Sequence, residues 1–178
     1  MKKYLKKNIL YLVPFLFLLS GCYSGAGIYR VESKVDPYND THILKQIDNG
    51  IMGFMNDDNA NTYYMDIYYD LKQNQFYLSV QAIRDNWLFI EKIIFLADGK
   101  KLEFPFSNKN REVIGGGTVM EWDLISMTED EIKTLVNAQK VTCRLMGSSV
   151  YRDLNDLSKI QQNWKSFYST ELNKHRRK

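Results

Sequence analysis

The chain has 178 residues, enough for one domain with a substantial core and too few for two large ones. Its formal charge of +3 is unevenly placed: residues 1–21 hold Lys2, Lys3, Lys6 and Lys7 and no acidic residue, and taking these four from the 24 basic residues leaves 20 against 21 acidic ones, a net of −1. Basicity is a property of the leader, so a nucleic-acid role argued from global charge is excluded, and 44% hydrophobic against 25% charged residues excludes a disordered tail.

The leader has three parts. A basic start, Met1–Lys7, precedes eleven almost wholly apolar residues, Ile9–Leu19, and then the small pair Ser20-Gly21 and Cys22. That order is the layout of a secretory signal. The apolar run is short of the roughly 20 residues that a stable membrane-spanning helix needs, and Pro14 interrupts it. The segment Leu19-Ser20-Gly21-Cys22 resembles the lipobox of bacterial lipoproteins. The resemblance covers the leader only. It implies that residues 1–21 are a cleaved signal peptide and that Cys22 becomes an acylated first residue carrying a diacylglyceryl group and palmitate-type chains. Each buried methylene adds about 0.8 kcal/mol to membrane attachment, and two or more chains hold a protein stably. Residues 22–27, with Tyr23-Ser24-Gly25-Ala26-Gly27 after the cysteine, read as a flexible tether. Residue 23 is Tyr and not Asp, which favours the outer membrane if the host has two membranes. With Cys22 acylated, Cys143 stands alone, no intramolecular disulfide forms, and its strand position reads as a small buried hydrophobe.

Residues 28–178 read as one globular β-rich domain. Ile28–Glu32 alternates as a first strand. Asp40 or Thr41 is placed to cap a short helix through Ile43, Leu44 and Ile47, ended by Asn49-Gly50. Ile51–Met55 reads as a strand and residues 56–61 as a polar loop. Tyr63, Met65, Ile67, Tyr69 and Leu71 then alternate with Tyr64, Asp66, Tyr68 and Asp70, and after the turn at 72–75 Phe76, Leu78, Val80 and Ala82 alternate with Tyr77, Ser79 and Gln81. Two such runs predict an antiparallel hairpin. Trp87–Leu96 reads as a central strand. Asp98-Gly99 makes a tight turn, and Pro105 marks the returning strand of Leu102, Phe104 and Phe106 as an edge. Gly115–Gly117 precede a strand over Thr118–Leu124. Thr128 and Glu131 form a capping box for a helix with Ile132, Leu135 and Val136 on one stripe. Val141–Met146 is a strand, Gly147-Ser148-Ser149 a turn, and Leu157, Ile160, Trp164 and Phe167 line a docked C-terminal helix. The predicted class is α+β, mainly β: an antiparallel meander or sandwich of about six to seven strands with two helices.

The spacing Asp57-x-Asn59-x-Asn61 opens like a calcium loop, but Thr62 and Tyr68 stand where a Gly and a bidentate Glu are needed, so a plain polar turn is favoured. Gly115–Gly117 lack the Gly-Lys-Ser/Thr ending of a phosphate loop, and Ser148 and Ser149 have no nucleophile elbow. Two histidines in the whole chain argue against a zinc site or a Ser-His-Asp triad. No catalytic set, metal site or cofactor is expected. The candidate binding surface is the strand face of Tyr64, Asp66, Tyr68 and Asp70 with Tyr77 across the hairpin. Tyrosine there offers a large rigid area with a polar tip. The expected function is a non-catalytic envelope protein, membrane-anchored through Cys22, that binds a protein or envelope polymer and no nucleic acid. The rivals are an anchored inhibitor or immunity-type protein against a toxin or lytic enzyme, and an enzyme using Asp66 and Asp70.

Overall fold

The computed structural model describes residues 30–53 and 61–176. Alternation of period two builds most of it. Strand β4 (Asn61–Asp70) buries Tyr63, Met65, Ile67 and Tyr69, and β5 (Gln75–Arg84) buries Phe76, Leu78, Val80 and Ala82. They pair as the expected hairpin, Ile67 opposite Leu78 and Tyr68 opposite Tyr77. The other strands are β1 (Arg30–Asp36), β2 (Thr41–Ile47), β3 (Gly50–Gly53), β6 (Ile90–Ala97), β7 (Lys100–Pro105), β8 (Asn110–Gly115), β9 (Thr118–Met127), β10 (Val141–Gly147) and β11 (Tyr151–Leu154). The helices are α1 (Glu129–Asn137), α2 (Ser158–Ser166) and α3 (Leu172–Arg176), with one π-helical stretch, Phe167–Glu171, joining the last two.

The class is α+β, mainly β. A seven-stranded antiparallel sheet runs β1-β2-β4-β5-β9-β8, with β3 also paired to β4; a four-stranded sheet runs β11-β10-β6-β7. Side chains of both sheets and of α1 and α2 meet in one apolar cluster. Trp164 of α2 lies in it, fully buried, edge-on to Phe95 of β6 with centroids 6.0 Å apart. The capping box of α1 is made in full, and Ile132, Leu135 and Val136 are its buried stripe. Asp98 and Gly99 both take positive φ, the turn their sequence requires, and β7 with Pro105 is an edge strand. Among the described residues no helix is long and apolar enough to cross a membrane.

Several elements differ from the sequence reading. Residues 41–47 are strand β2 and not a helix. The inward face of β2 is Leu44 and Gln46, so a buried glutamine hides the alternation and leaves Ile43, Leu44 and Ile47 imitating a helical stripe. Strands β8 and β11 were not expected. Residues of β8 are exposed or half-buried on both faces, so it carries no apolar period; its pairing to β9 and the positive φ of Gly115, Gly116 and Gly117 hold it. The strand expected from Trp87 begins at Ile90, after Phe89 turns the chain with φ 54°. Residues 28–29 and 54–60, with part of the first strand, Met55 and most of the polar loop, lie outside the described residues.

The centre of β4 shows how this sheet closes. On one side β4 pairs with β5 along its length; on the other, β2 covers Tyr68–Asp70 and β3 covers Asn61–Tyr64. Residues 65–67 have no ladder partner on that side. Four residues, 46–49, stand opposite these three, a β-bulge with Asp48 at φ 64°. Backbone and side chains together complete the ladder. Met65 N–H donates to the backbone carbonyl of Asn49 (3.0 Å), and Ile67 N–H donates to the side-chain Oε1 of Gln46 (3.1 Å). Met65 O accepts from both Asn49 Nδ2 and Trp164 Nε1, each at 2.8 Å. Asn49 Nδ2 also donates to Ile160 O (3.3 Å), and Asn49 Oδ1 accepts from Asn163 Nδ2 (2.9 Å). Asn49 is 1% exposed, so truncating its side chain would take a partner from Met65 O, Ile160 O and Asn163 Nδ2 in a dry site, leaving Met65 O with Trp164 Nε1 alone. Asn49→Ala is expected to cost about 2–3 kcal/mol, read as a lower urea midpoint at unchanged m-value. A change below about 0.5 kcal/mol would show that the bulge is held by other contacts.

Candidate functional site

The residues of β4 that point away from the core begin the surface expected from the sequence. Tyr64 lies flat over Gly50, its ring carbons where a side chain on residue 50 would stand. Asp66 is opposite Ser79, and Tyr64 is opposite Gln81, which has Trp122 of β9 on its other side. Opposed residues share a face, so Tyr64, Asp66, Tyr68, Tyr77, Gln81 and Trp122 lie on one side of the sheet. Lys45 of β2 places its ammonium 4.9 Å from the Tyr68 ring centroid. Burial pushes the Tyr68 phenol above its usual pKa, against the pull of a hydrogen bond with Ser79. The three tyrosines are half-buried, which fixes their rings while leaving their rims in water.

The two aspartates of that face have separate structural duties. Asp70 is 2% exposed, and its Oδ1 accepts from Lys72 N (2.9 Å) and Gln73 N (3.2 Å), closing the hairpin turn. It offers a ligand nothing. Asp66, 8% exposed, accepts Asn49 N–H at 3.0 Å through Oδ1. Four residues of strand separate the pair by about 13 Å, too far to share a proton or flank one bond. Burial pushes the Asp66 carboxyl up to about 6; the Asn49 N–H opposes this and the Asp48 charge adds to it.

Two other carboxylates, which no sequence motif announced, lie on the inward face of β9. Glu121 is 2% exposed and gathers three consecutive amides: Leu88 N (2.7 Å) and Phe89 N (3.2 Å) on Oε2, and Ile90 N (2.9 Å) on Oε1, with Arg111 beside it at 3.3 Å. Asp123 accepts from Asn108 N (3.2 Å) and Asn108 Nδ2 (3.0 Å). Both fasten loops that lead to or from the four-stranded sheet. Their only sequence signal is charge at alternate, otherwise apolar, positions of β9.

The remaining candidates resolve simply. Cys143 is buried, and burial drives its thiol pKa well above the ordinary range, so it is no nucleophile. Gly115–Gly117 form the β8–β9 turn, and Gly147 ends β10, accepting the bend before β11. Among the described residues no three His, Cys, Asp or Glu side chains converge on a metal position. Of the proposed cation loop, Asn61 begins β4 and is buried, while Asp57 and Asn59 lie outside the described residues, as does Cys22. Comparison with protein-family models, with curated proteins and with solved structures finds no match to this chain.

The Asp66 carboxyl gives a signed pH dependence. Its folded pKa of about 6 lies above the ordinary aspartate value of 3.8, so it stabilises the fold fully below pH 4 and that contribution is lost as pH rises through 6. The difference corresponds to about 3 kcal/mol. Asp66→Asn keeps an acceptor for Asn49 N–H and removes the charge. Urea unfolding from pH 4 to 7 is expected to show wild type losing stability relative to this variant, with the difference changing most between pH 4 and 6. Parallel curves would contradict the burial of an ionising Asp66.

Proposed function

We propose that the chain is a non-catalytic lipoprotein of the bacterial cell envelope, fastened by acyl chains on Cys22, that binds a protein or envelope polymer with the outward face of its seven-stranded sheet. The observation that carries the binding surface is the half-buried array of Tyr64, Tyr68 and Tyr77 on the best-connected strands of the fold. Rings fixed by packing lose little entropy when a partner covers them, and their hydroxyls hydrogen-bond at the rim. The assignment to the envelope rests on the basic start, the apolar run and the Leu19-Ser20-Gly21-Cys22 box.

The anchor and the surface are linked through chain length. Arg30 opens β1, an edge of the same sheet, eight residues after Cys22. An extended chain of that length spans at most about 26–29 Å. The sheet edge is therefore kept close to the bilayer surface, and a partner on this face is itself at or near the membrane. If the host has two membranes, Tyr23 favours the outer one. The separate structural duties of Asp66 and Asp70 support binding over carboxylate chemistry.

Two measurements test this reading. Labelling with a palmitate analogue is expected to mark the wild-type protein and to fail for Cys22→Ala, which should leave the membrane fraction. Crosslinking pull-down from host envelopes is expected to recover a specific partner whose yield falls at least about tenfold in the double variant Tyr64→Ala/Tyr77→Ala, with the thermal midpoint nearly unchanged. Capture and inhibition of a lytic enzyme or toxin would narrow the role to that of an inhibitor. Labelling of Cys22→Ala, or substrate turnover that disappears in Asp66→Asn, would overturn the proposal.

A further inference from the structure

The chain has two histidines, 133 positions apart, and the fold brings them together. His42 of β2 and His175 of α3 meet edge to face, with ring centroids 6.2 Å apart and planes at 89°. The helix end that carries His175 is held firmly. Its neighbour Arg176 donates through Nη1 to Glu129 Oε1 (2.9 Å) and through Nη2 to Glu129 Oε2 (3.2 Å) and Tyr69 Oη (3.1 Å), and its guanidinium lies over the rings of Tyr69 and Phe76. On the other side, His42 Nε2 is 2.8 Å from Ser33 Oγ on β1.

We infer that His42 and His175 form a two-histidine site for a borderline divalent cation, Zn²⁺ or its neighbours Ni²⁺ and Cu²⁺, that joins α3 to β2. Neutral imidazole is the side chain these ions favour most in mixed nitrogen and oxygen sites. Ser33 occupies Nε2 of His42, leaving Nδ1 as the nitrogen available to an ion. This is the outer hydrogen bond that ligating histidines use to fix ring orientation and tautomer. Two nitrogens bound at about 2.0–2.1 Å to one ion lie about 3–3.5 Å apart. Both histidines are half-buried, with ring centroids 6.2 Å apart; the proposed site requires the His175 side chain to turn toward Nδ1 of His42 while His42 keeps its bond to Ser33. No third protein ligand joins them among the described residues. Water therefore fills the other positions, and the ion is exchangeable, unlike one in a closed structural site. The proton balance is simple: an imidazole nitrogen binds the ion only through its free lone pair, so the ion competes with protons for it. Magnesium, which prefers oxygen and water, is not a ligand for this pair.

The test uses the untagged full chain in detergent micelles. Only two histidine Hε1 signals exist, so substoichiometric Cu²⁺ should broaden both in parallel. Zn²⁺ should raise the thermal midpoint with one ion bound per chain, while Mg²⁺ at the same concentration leaves it unchanged. His42→Gln and His175→Gln should each lose the Zn²⁺-dependent shift, and Ser33→Ala should weaken Zn²⁺ binding by roughly tenfold without removing it. The inference is overturned if Cu²⁺ broadens one signal or neither. It is equally overturned if Zn²⁺ up to 1 mM, a concentration chosen on the order of weak-site affinities, leaves the midpoint unmoved, or if the shift survives in both histidine variants. The wild-type titration decides the matter even if a variant fails to fold.

Discussion

The fold depends on how three residues of β4 are satisfied where a bulge interrupts their ladder. At Met65–Ile67 the ladder on one side of the central hairpin is interrupted, and an interrupted ladder in a dry interior is costly, because each unpaired amide or carbonyl loses its water without replacement. Asn49, Gln46 and Trp164 restore the pairing with side-chain groups. Trp164 is the most economical of these, since one residue supplies an N–H to the seven-stranded sheet and an apolar ring against Phe95 of the other sheet. The bulge at 46–49, the C-terminal helix and the two sheets are thereby made interdependent.

The same solution recurs at lower scale. Glu121 satisfies three amides at the entry to β6, and Asp123 holds the loop that precedes β8. Buried polar side chains of this kind contribute less to stability than apolar residues of equal size would in a uniform core. Here they fix positions: each joins a loop to a strand at one register, and a slip of one residue would turn its carboxylate to the other face. The surface residues Tyr64 and Tyr68 flank Met65–Ile67 on β4, so the rigidity of the proposed binding face derives from the interior bonds beneath it.

Much of this architecture was legible in the residues. The β4–β5 hairpin, the Asp98-Gly99 turn, the edge at Pro105, the capped helix α1 and the apolar stripe of α2 each carry a local signal, either a period or a turn or cap chemistry, and each formed as read. Failures came where a polar residue occupied an inward position. Gln46 disguised β2 as a helix, and Asn49-Gly50, read as a helix stop, is the bulge that organises the sheet. Strand β8 has no apolar face and is specified by its partner, which no local pattern records. In the candidate site the aromatic members share a face, while Asp70, whose spacing matches that surface, is buried with its carboxylate bonded to the hairpin turn. The pairing of His42 with His175, and of Arg176 with Glu129, depends on contacts between distant parts of the chain.

The central claim is that side chains bridge the bulge at the middle of β4. Native-state amide hydrogen exchange tests it residue by residue. The account predicts that Ile67 N–H, whose acceptor is the Gln46 side chain, exchanges as slowly as Leu78 and Val80 N–H in the fully covered strand β5, through global unfolding. Exchange of Ile67 at the rate of the exposed edge strands β1 and β8 would contradict it.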